Sequence, residues 1–292
     1  MAFWHKLKFS AQSSAQVVDN ANRIAAVGQQ KALAQLRRLP VEAFGDLLLS
    51  SCATAPALSK VLPSMASDEA QQLWTGCSGA ALMAQSLDFM RSVDQACHKH
   101  LGHGIRGKVL DYGCGWGRLL RLLLWYVDPE QIYGADPWDQ SIATCRQHHC
   151  PGHLALCDYL PTSLPFAQQF NLIYAFSVFT HLPETTADAI LKVLHRHIEA
   201  KGMLVITIRP PEYWNFHRNW LEGYTKDLML ERHQQTGFAF MPHALDPSDD
   251  FSYGDTSMTV DFIRQRWPQW KVVDTVHNAS DPLQILVFMQ PV

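Results

Sequence analysis

The stretch Val109-Leu110-Asp111-Tyr112-Gly113-Cys114-Gly115-Trp116-Gly117-Arg118 decides how the rest of the sequence is read. An apolar run suited to a buried strand enters a turn with glycine at every second position. Leu119, Leu122, Leu123 and Tyr126 then fall at i, i+3, i+4 and i+7, the spacing of one helix face. Gly113 and Gly115 carry no Cβ, so the backbone there can bend tightly and lie close to a ligand. A helix opening at Gly117 points unpaired N–H groups and the positive end of its dipole at the same place, which suits a carboxylate or a phosphate.

Working outward, short apolar runs alternate with helical patterns from Gly107 onward. Lys108–Tyr112, Gln131–Asp136, Leu154–Cys157, Phe170–Phe176 and Met203–Ile208 read as buried strands. Ala187, Ile190, Leu191, Leu194 and Ile198 repeat the helical spacing before the fifth. Continuous apolar strands separated by helices imply a parallel sheet covered on both faces, an α/β architecture. Lys271–His277 and Leu283–Met289 are joined by a short turn and predict a closing antiparallel hairpin, preceded by a helix over Thr259–Gln265.

Residues 1–100 read as a helical region, either packing on the sheet as a cap or offering a homodimer face. Ala11–Leu39, Val41–Ser51 and Ser78–His100 are its helical segments, and Pro40 separates the first two. Residues 101–292 form the second unit, interrupted by a long insertion at 209–257. That insertion holds Tyr213, Trp214, Phe216, Trp220, Tyr224, Phe238, Phe240, Phe251 and Tyr253, with a helix over Thr225–Gln235. Two readings stand for it: a lid or binding loop, or a satellite hydrophobic cluster under a surface flap.

The 292 residues carry 24 Lys and Arg against 27 Asp and Glu, a formal net charge of −3, with 17% charged and 47% hydrophobic residues. That composition suits a globular chain with a generous core and excludes a disordered one. Clustered excess positive charge is missing, so no nucleic-acid partner is expected, and Arg37-Arg38 reads as a solvated helix face. No run of about 18 apolar residues predicts a membrane span, and Met1–Ser10 lacks the apolar segment of a signal peptide. Seven cysteines without a regular framework suit reduced thiols and a cytoplasmic location. His148-His149-Cys150-Pro151-Gly152-His153 has the composition of a metal tract but no paired ligand spacing, so no metal is expected there.

The glycine spacing separates two ligand classes. The dinucleotide fingerprint G-x-G-x-x-G would put its third glycine at Arg118. The sequence instead has G-x-G-x-G with an acid two residues ahead, and Asp111, Gly113, Gly115 and Gly117 resemble the first motif of the class I S-adenosylmethionine-dependent methyltransferases. Later landmarks fall in the family's order. Asp136-Pro137 ends the second strand, where an acid can accept both ribose hydroxyls. Asp158-Tyr159 ends the third, where the family's acid meets the adenine amino group. The segment from Phe170 through Ser177 to Leu182 is similar to the family's fourth strand, with Asn171 where Asp is usual. Ala200–Ile208 is similar to the fifth. Trp74-Thr75-Gly76-Cys77-Ser78-Gly79 looks like a feature of a small-molecule subgroup, which implies that Trp74 or Thr75 closes over the cofactor; the plainer reading makes Ser78 a helix N-cap.

The resemblance implies a Rossmann-like seven-stranded sheet, mostly parallel with a terminal antiparallel hairpin, with helices on both faces and an N-terminal helical extension. It implies S-adenosyl-L-methionine as cofactor, bound by Trp74, Asp111, Gly113, Cys114, Gly115, Gly117, Asp136, Pro137, Asp158, Tyr159 and Ser177. The expected reaction is methyl transfer to a small-molecule acceptor, at an oxygen. The alternatives are a nicotinamide-dependent oxidoreductase and a non-catalytic cofactor-binding scaffold. A hydroxyl acceptor would be helped by a general base near pH 7, which points to histidine. His181, just past the fourth strand, is the first candidate; His217 and His243, in the insertion, are its rivals. Tyr213, Trp214 and Tyr253 are expected to bind or stack on the acceptor.

Overall fold

The structure is a computed structural model that describes residues 23–54, 56–244, 253–278 and 280–292; of 51–54 and 56 it describes the backbone alone. The segments expected at Met1–Ser10 and Ala11–Asn22, and Phe251 of the insertion, lie outside the described residues. Helices α1 (Gln29–Leu36), α2 (Val41–Thr54), α3 (Asp68–Thr75) and α4 (Gly79–Leu101) precede the first strand. The strands are β1 (Val109–Tyr112), β2 (Ile132–Asp136), β3 (His153–Leu156), β4 (Phe170–Ala175), β5 (Ile198–Ile208), β6 (Phe238–Pro242), β7 (Gly254–Met258), β8 (Trp270–His277) and β9 (Ile285–Pro291). Between them lie α5 (Arg118–Tyr126), α6 (Asp139–Gln147), α7 (Glu184–His197), α8 (Lys226–Thr236) and α9 (Val260–Arg266).

Seven strands make one sheet in the order β3-β2-β1-β4-β5-β9-β8. The first five run parallel, and β9 pairs antiparallel with both β5 and β8. This is the expected Rossmann-like sheet with its closing hairpin. Both faces are buried, which is why the strands read as continuous apolar runs. Val109, Leu172 and Tyr174 turn to one hydrophobic cluster, and Leu110, Ile173 and Ala175 to the other. The fifth strand begins at Ile198, five residues earlier than expected. Phe170 pairs with Ile198 but Leu172 with Met203, so the glycine turn at Ala200-Lys201-Gly202 survives as a jump in register.

The N-terminal helices complete one face of this sheet. Leu33, Phe44 and Phe89 share a single core cluster with Leu120, Leu123 and Val205. Arg37, expected on a solvated face, instead ties α1 to the end of α5. Its Nε donates to Leu124 O at 2.7 Å, its Nη2 to Val127 O at 2.5 Å, and its Nη1 pairs with Asp128 at 2.7 Å. Leu124 O lies in the last turn of α5, where the helix itself supplies no donor, and Arg37 supplies one.

The described residues of the insertion pack on themselves and on the rest of the chain. The insertion has its own small core of Trp214, Met229, Ala239 and Met241. It is also fastened to the main sheet, because β7 pairs with β6 on one side while Thr256 N donates to Thr180 O at 2.8 Å and Gly254 N to His181 O at 2.9 Å on the other. Among the described residues, no helix is long and apolar enough to cross a membrane.

Candidate active site

The parallel strands leave a crevice beyond their carboxyl ends where the order reverses between β1 and β4. A cleft of about 1190 Å³ opens there. The glycine turn builds one wall. Gly113, Gly115 and Gly117 have φ of 75°, 53° and 80°, the left-handed region that side chains avoid. A Cβ on Gly113 would stand 2.4 Å from Val178 Cγ2, whereas at Gly115 the nearest atom, on the Trp74 ring, is 3.9 Å away. Gly113 is therefore fixed by packing, and Gly115 by the open space kept beside it. The pairing of Tyr112 with Ala135 sets the turn against the end of β2. Gly113 N and Cys114 N both donate to Ala135 O, and Gly115 N donates to Asp136 Oδ2 at 2.8 Å. Asp136 Oδ1 accepts from Trp138 N at 2.9 Å. Burial raises the Asp136 carboxyl and these two N–H groups oppose the shift.

Asp111 is 2% exposed and lines the cleft. Burial pushes its carboxyl well above the usual range, against the pull of the Arg118 guanidinium. Arg118 lies 4.5 Å over the Phe176 ring and donates to Gln85 Oε1 at 2.7 Å; Gln85 also donates to Asp281 Oδ2 at 3.2 Å. Ser177, with φ 58°, closes the exit of β4. Its N donates to Thr207 Oγ1 at 2.7 Å, and Gln284 Nε2 donates to its hydroxyl at 3.1 Å. Trp74 and Trp138 stack at 4.7 Å across the rim. The arrangement offers carboxylates for hydroxyls or an ammonium, open backbone beside a glycine, and aromatic faces for a planar base, which is what a nucleoside with an amino-acid tail needs.

The opposite half of the cleft is organised by Asp255, 4% exposed on β7. Arg209 Nη1 pairs with its Oδ1 at 2.5 Å, and His243 Nε2 lies 3.1 Å from its Oδ2. His181 Nδ1 and His217 Nδ1 approach within 3.5 Å and 3.6 Å. Burial raises the Asp255 carboxyl, but His243, Arg209 and His181 together hold it well below the usual range. Arg209 Nη1 also donates to Thr180 O at 3.0 Å, and the guanidinium lies 4.1 Å over the Tyr213 ring. His181, His243 and Asp255 bring ligand-type atoms within 4.8 Å of one another, a spacing found in metal sites. Arg209 argues against a cation there, because its positive charge already sits on the carboxylate and on His181.

His181 itself is held neutral. Nδ1 lies 2.7 Å from Gly254 O, so it carries the proton, and Nε2 accepts from Arg209 Nη2 at 3.3 Å. Burial and the Arg209 charge lower it from 6.5 to about 4. An unfolded His181 takes up a proton below its ordinary value while the folded one does not. Stability is thus complete above pH 6.5 and lost as the pH falls toward 4. We expect His181→Asn to lose less stability than the wild type between pH 7.5 and 5, by about 2 kcal/mol in urea unfolding. Equal losses would show that His181 is not buried neutral.

Eleven of the residues named from sequence line the cleft: Trp74, Asp111, Gly113, Cys114 and Gly115, then Asp136, Pro137, Tyr159, Ser177, His181 and Tyr253. The others fall elsewhere. Gly117 packs against Cys145 and Cys150 behind the turn. Asp158 is exposed and outside the cleft lining, since β3 ends at Leu156 and the chain turns outward. Trp214, expected on the acceptor, is fully buried in the core of the insertion, its Nε1 donating to Ser257 Oγ at 2.7 Å. Tyr213 supports Arg209 from behind, and His217 and His243 gather on Asp255 rather than on the cleft surface. Ser78 stands at the N-cap of α4 without a side-chain cap bond; Gln71 Oε1 accepts from Gly79 N instead, at 3.0 Å. Sequence reasoning missed Gln85, Arg118, Arg209, Asp255, Asp281 and Gln284. Of these only Arg209 carried a signal, a charged residue directly after a buried strand.

Sheet order and glycine turn have the arrangement that the resemblance to the class I S-adenosylmethionine-dependent methyltransferases implies. Residues 109–202 match the family described as a methyltransferase domain. No curated protein sequence matches the chain. Among solved structures it is similar to an S-adenosylmethionine-dependent methyltransferase from Clostridium acetobutylicum ATCC 824, at 13% identity over 76% of this chain and 95% of that one, TM-score 0.49. The glycopeptide N-methyltransferase MtfA complexed with sinefungin is 12% identical over 70% and 86%, TM-score 0.48. Magnesium protoporphyrin IX methyltransferase from Synechocystis PCC 6803 with bound S-adenosylmethionine is 12% identical over 76% and 89%, TM-score 0.46.

Proposed function

We propose that the protein transfers a methyl group from S-adenosylmethionine to an oxygen atom of a small-molecule acceptor. The observation that carries this reading is one cleft lined on one side by the glycine turn, Asp136, Trp74 and Trp138 and on the other by Arg209, His181 and Tyr253. On the first side, Asp136 takes the ribose hydroxyls, Trp74 and Trp138 cover the base with Tyr159 at its edge, and Asp111, Gln85 and Arg118 face the methionine end. On the second, Arg209, His181 and Tyr253 receive the acceptor. Bound there, the cofactor supplies a sulfonium methyl that needs no leaving-group acid. The chain's work is then to align the acceptor and exclude water, and well-oriented groups can be worth roughly 7–11 kcal/mol. The fastened β6–β7 hairpin serves the alignment, because Asp255 on β7 holds Arg209 in place.

Calorimetry with S-adenosylhomocysteine, followed by its release from S-adenosylmethionine with small-molecule acceptors present, tests the reading. Micromolar or tighter binding with turnover is expected, with quenching of Trp74 and Trp138 fluorescence on binding. Binding without turnover on any acceptor turns the reading to a scaffold. Binding of NAD without S-adenosylhomocysteine turns it to an oxidoreductase.

A further inference from the structure

Among the described residues that line the acceptor half of the cleft, Arg209 is a fixed cation and His181 is the one histidine, with both ring nitrogens engaged. Both cations that line the cleft are arginines, Arg118 and Arg209. Arg118 stands among Asp111, Gln85 and Asp281 in the cofactor half. Arg209 is alone in the other half, 12% exposed. Its Nη1 is used up by Asp255 Oδ1 and Thr180 O, and one Nη2 N–H goes to His181 Nε2. Among the described residues no partner takes Nε–H or the second Nη2 N–H. These two are parallel and form the fork that a carboxylate accepts with both oxygens.

The side chains that line this half, among the described residues, offer no ready base. His181 has one ring nitrogen protonated toward Gly254 O and the other occupied by Arg209. Burial pushes the Tyr253 phenol up to about 12. His243 and His217 each turn one ring nitrogen to Asp255 and do not line the cleft. The cleft carboxylates are committed elsewhere: Asp136 to two backbone N–H groups, Asp281 to Gln85, and Asp111 to the Arg118 side. An alcohol would have to lose a proton with no lining side chain among the described residues placed to receive it. An amine would become a cationic product beside a cation.

We propose, resting on the methyltransferase reading above, that the acceptor is a carboxylate docked on the Nε and Nη2 edge of Arg209, and that the product is its methyl ester. A carboxylate oxygen forms the new O–CH₃ bond as the sulfonium C–S bond breaks, and that bond's electron pair stays on sulfur. The acid is ionised before it binds, so no proton moves. A cation and an anion become two neutral products, and the ester no longer holds Arg209, which favours its release. Asp255 is the positioning residue, because it turns the guanidinium so that this edge is left over.

The test uses the full chain, S-adenosylmethionine labelled in its methyl group, and a panel of aromatic and aliphatic monocarboxylates, each paired with its primary alcohol and primary amine. The expected result is transfer to carboxylates alone. The label should be released as methanol by mild alkali, since methyl esters are hydrolysed and methyl ethers and methylamines are not. Arg209→Lys keeps the charge and loses the fork. It should raise KM for the carboxylate about 10- to 100-fold, leave kcat unchanged or higher, and leave S-adenosylhomocysteine affinity within about threefold. Because the anion is fully charged only before transfer, Arg209 binds the ground state more strongly than the transition state, and the loss belongs in KM. Alkali-stable label, transfer to the alcohols or amines in preference, an unchanged KM in Arg209→Lys, or no carboxylate methylated by protein that binds S-adenosylhomocysteine would each overturn the proposal. Failure to bind S-adenosylhomocysteine strikes instead at the methyltransferase reading beneath it.

Discussion

Asp136→Ala is expected to raise the dissociation constant for S-adenosylhomocysteine by at least about 100-fold in calorimetry. Two hydroxyls on one carboxylate are charge-assisted bonds, each worth roughly 1.5–3 kcal/mol, and a factor of 100 needs only about 3 kcal/mol in total. The same carboxylate holds Gly115 N–H at 2.8 Å and Trp138 N–H at 2.9 Å, so its loss also frees the glycine turn and the residue that stacks on Trp74. Asp136→Asn separates the two effects. An amide can accept from only one of those N–H groups, so its affinity should fall between wild type and Ala. Acidification should act like the substitution. Burial raises the Asp136 carboxyl above its ordinary 3.8, so affinity is kept at neutral pH and lost on acidification earlier than an ordinary carboxylate would lose it. Near-native affinity in a folded Asp136→Ala protein would remove this residue from the site.

The glycine turn was legible because its conformation needs glycine: φ values of 75°, 53° and 80° at Gly113, Gly115 and Gly117 write themselves into the sequence as residue types. The sheet was legible because both its faces are buried, which turns strands into unbroken apolar runs. The hairpin β6–β7 was not. Gly254-Asp255-Thr256-Ser257-Met258 is buried throughout, yet three of the five residues are polar. Their polar atoms are satisfied across the fold: Asp255 by Arg209, Thr256 Oγ1 by Leu182 O at 2.6 Å, and Ser257 Oγ by Trp214 Nε1 at 2.7 Å and His233 Nδ1, 2.8 Å away. No periodicity announces a strand whose partners lie far along the chain. The histidines failed in an instructive way for the same reason. His181, His217 and His243 were rivals for one role when read singly. In space they surround one carboxylate, and that carboxylate had not drawn notice because a lone acid in a polar stretch looks like a turn. Trp214 and Asp158 show the converse: residue type and position in sequence suited a binding role, while burial in one case and exposure in the other placed them away from the cleft.

Asp255→Ala should lower the melting temperature by on the order of 10 °C. Removing one partner of a buried ion pair costs about 3–5 kcal/mol, because the charge left behind has been taken out of water and has nothing to offset it. Here that charge is Arg209, whose Nη1 sits 2.5 Å from the lost carboxylate, and the surroundings offer no replacement: Thr180 O is already shared, His181 Nε2 already accepts, and the Tyr213 ring lies beneath. Arg209→Met with Asp255→Ala removes both charges and keeps an apolar side chain over Tyr213. The double variant should therefore recover most of the stability that Asp255→Ala loses, while the S-adenosylhomocysteine affinity of both stays near that of the wild type. Methyl transfer should not recover with it, because the fork that would hold the acceptor is gone. Stability and turnover moving apart in the double variant is the signature expected of a pair that both anchors β7 and presents the acceptor site. A melting temperature for Asp255→Ala within about 2 °C of wild type would mean that the pair is solvated and that β7 is held by its backbone contacts alone.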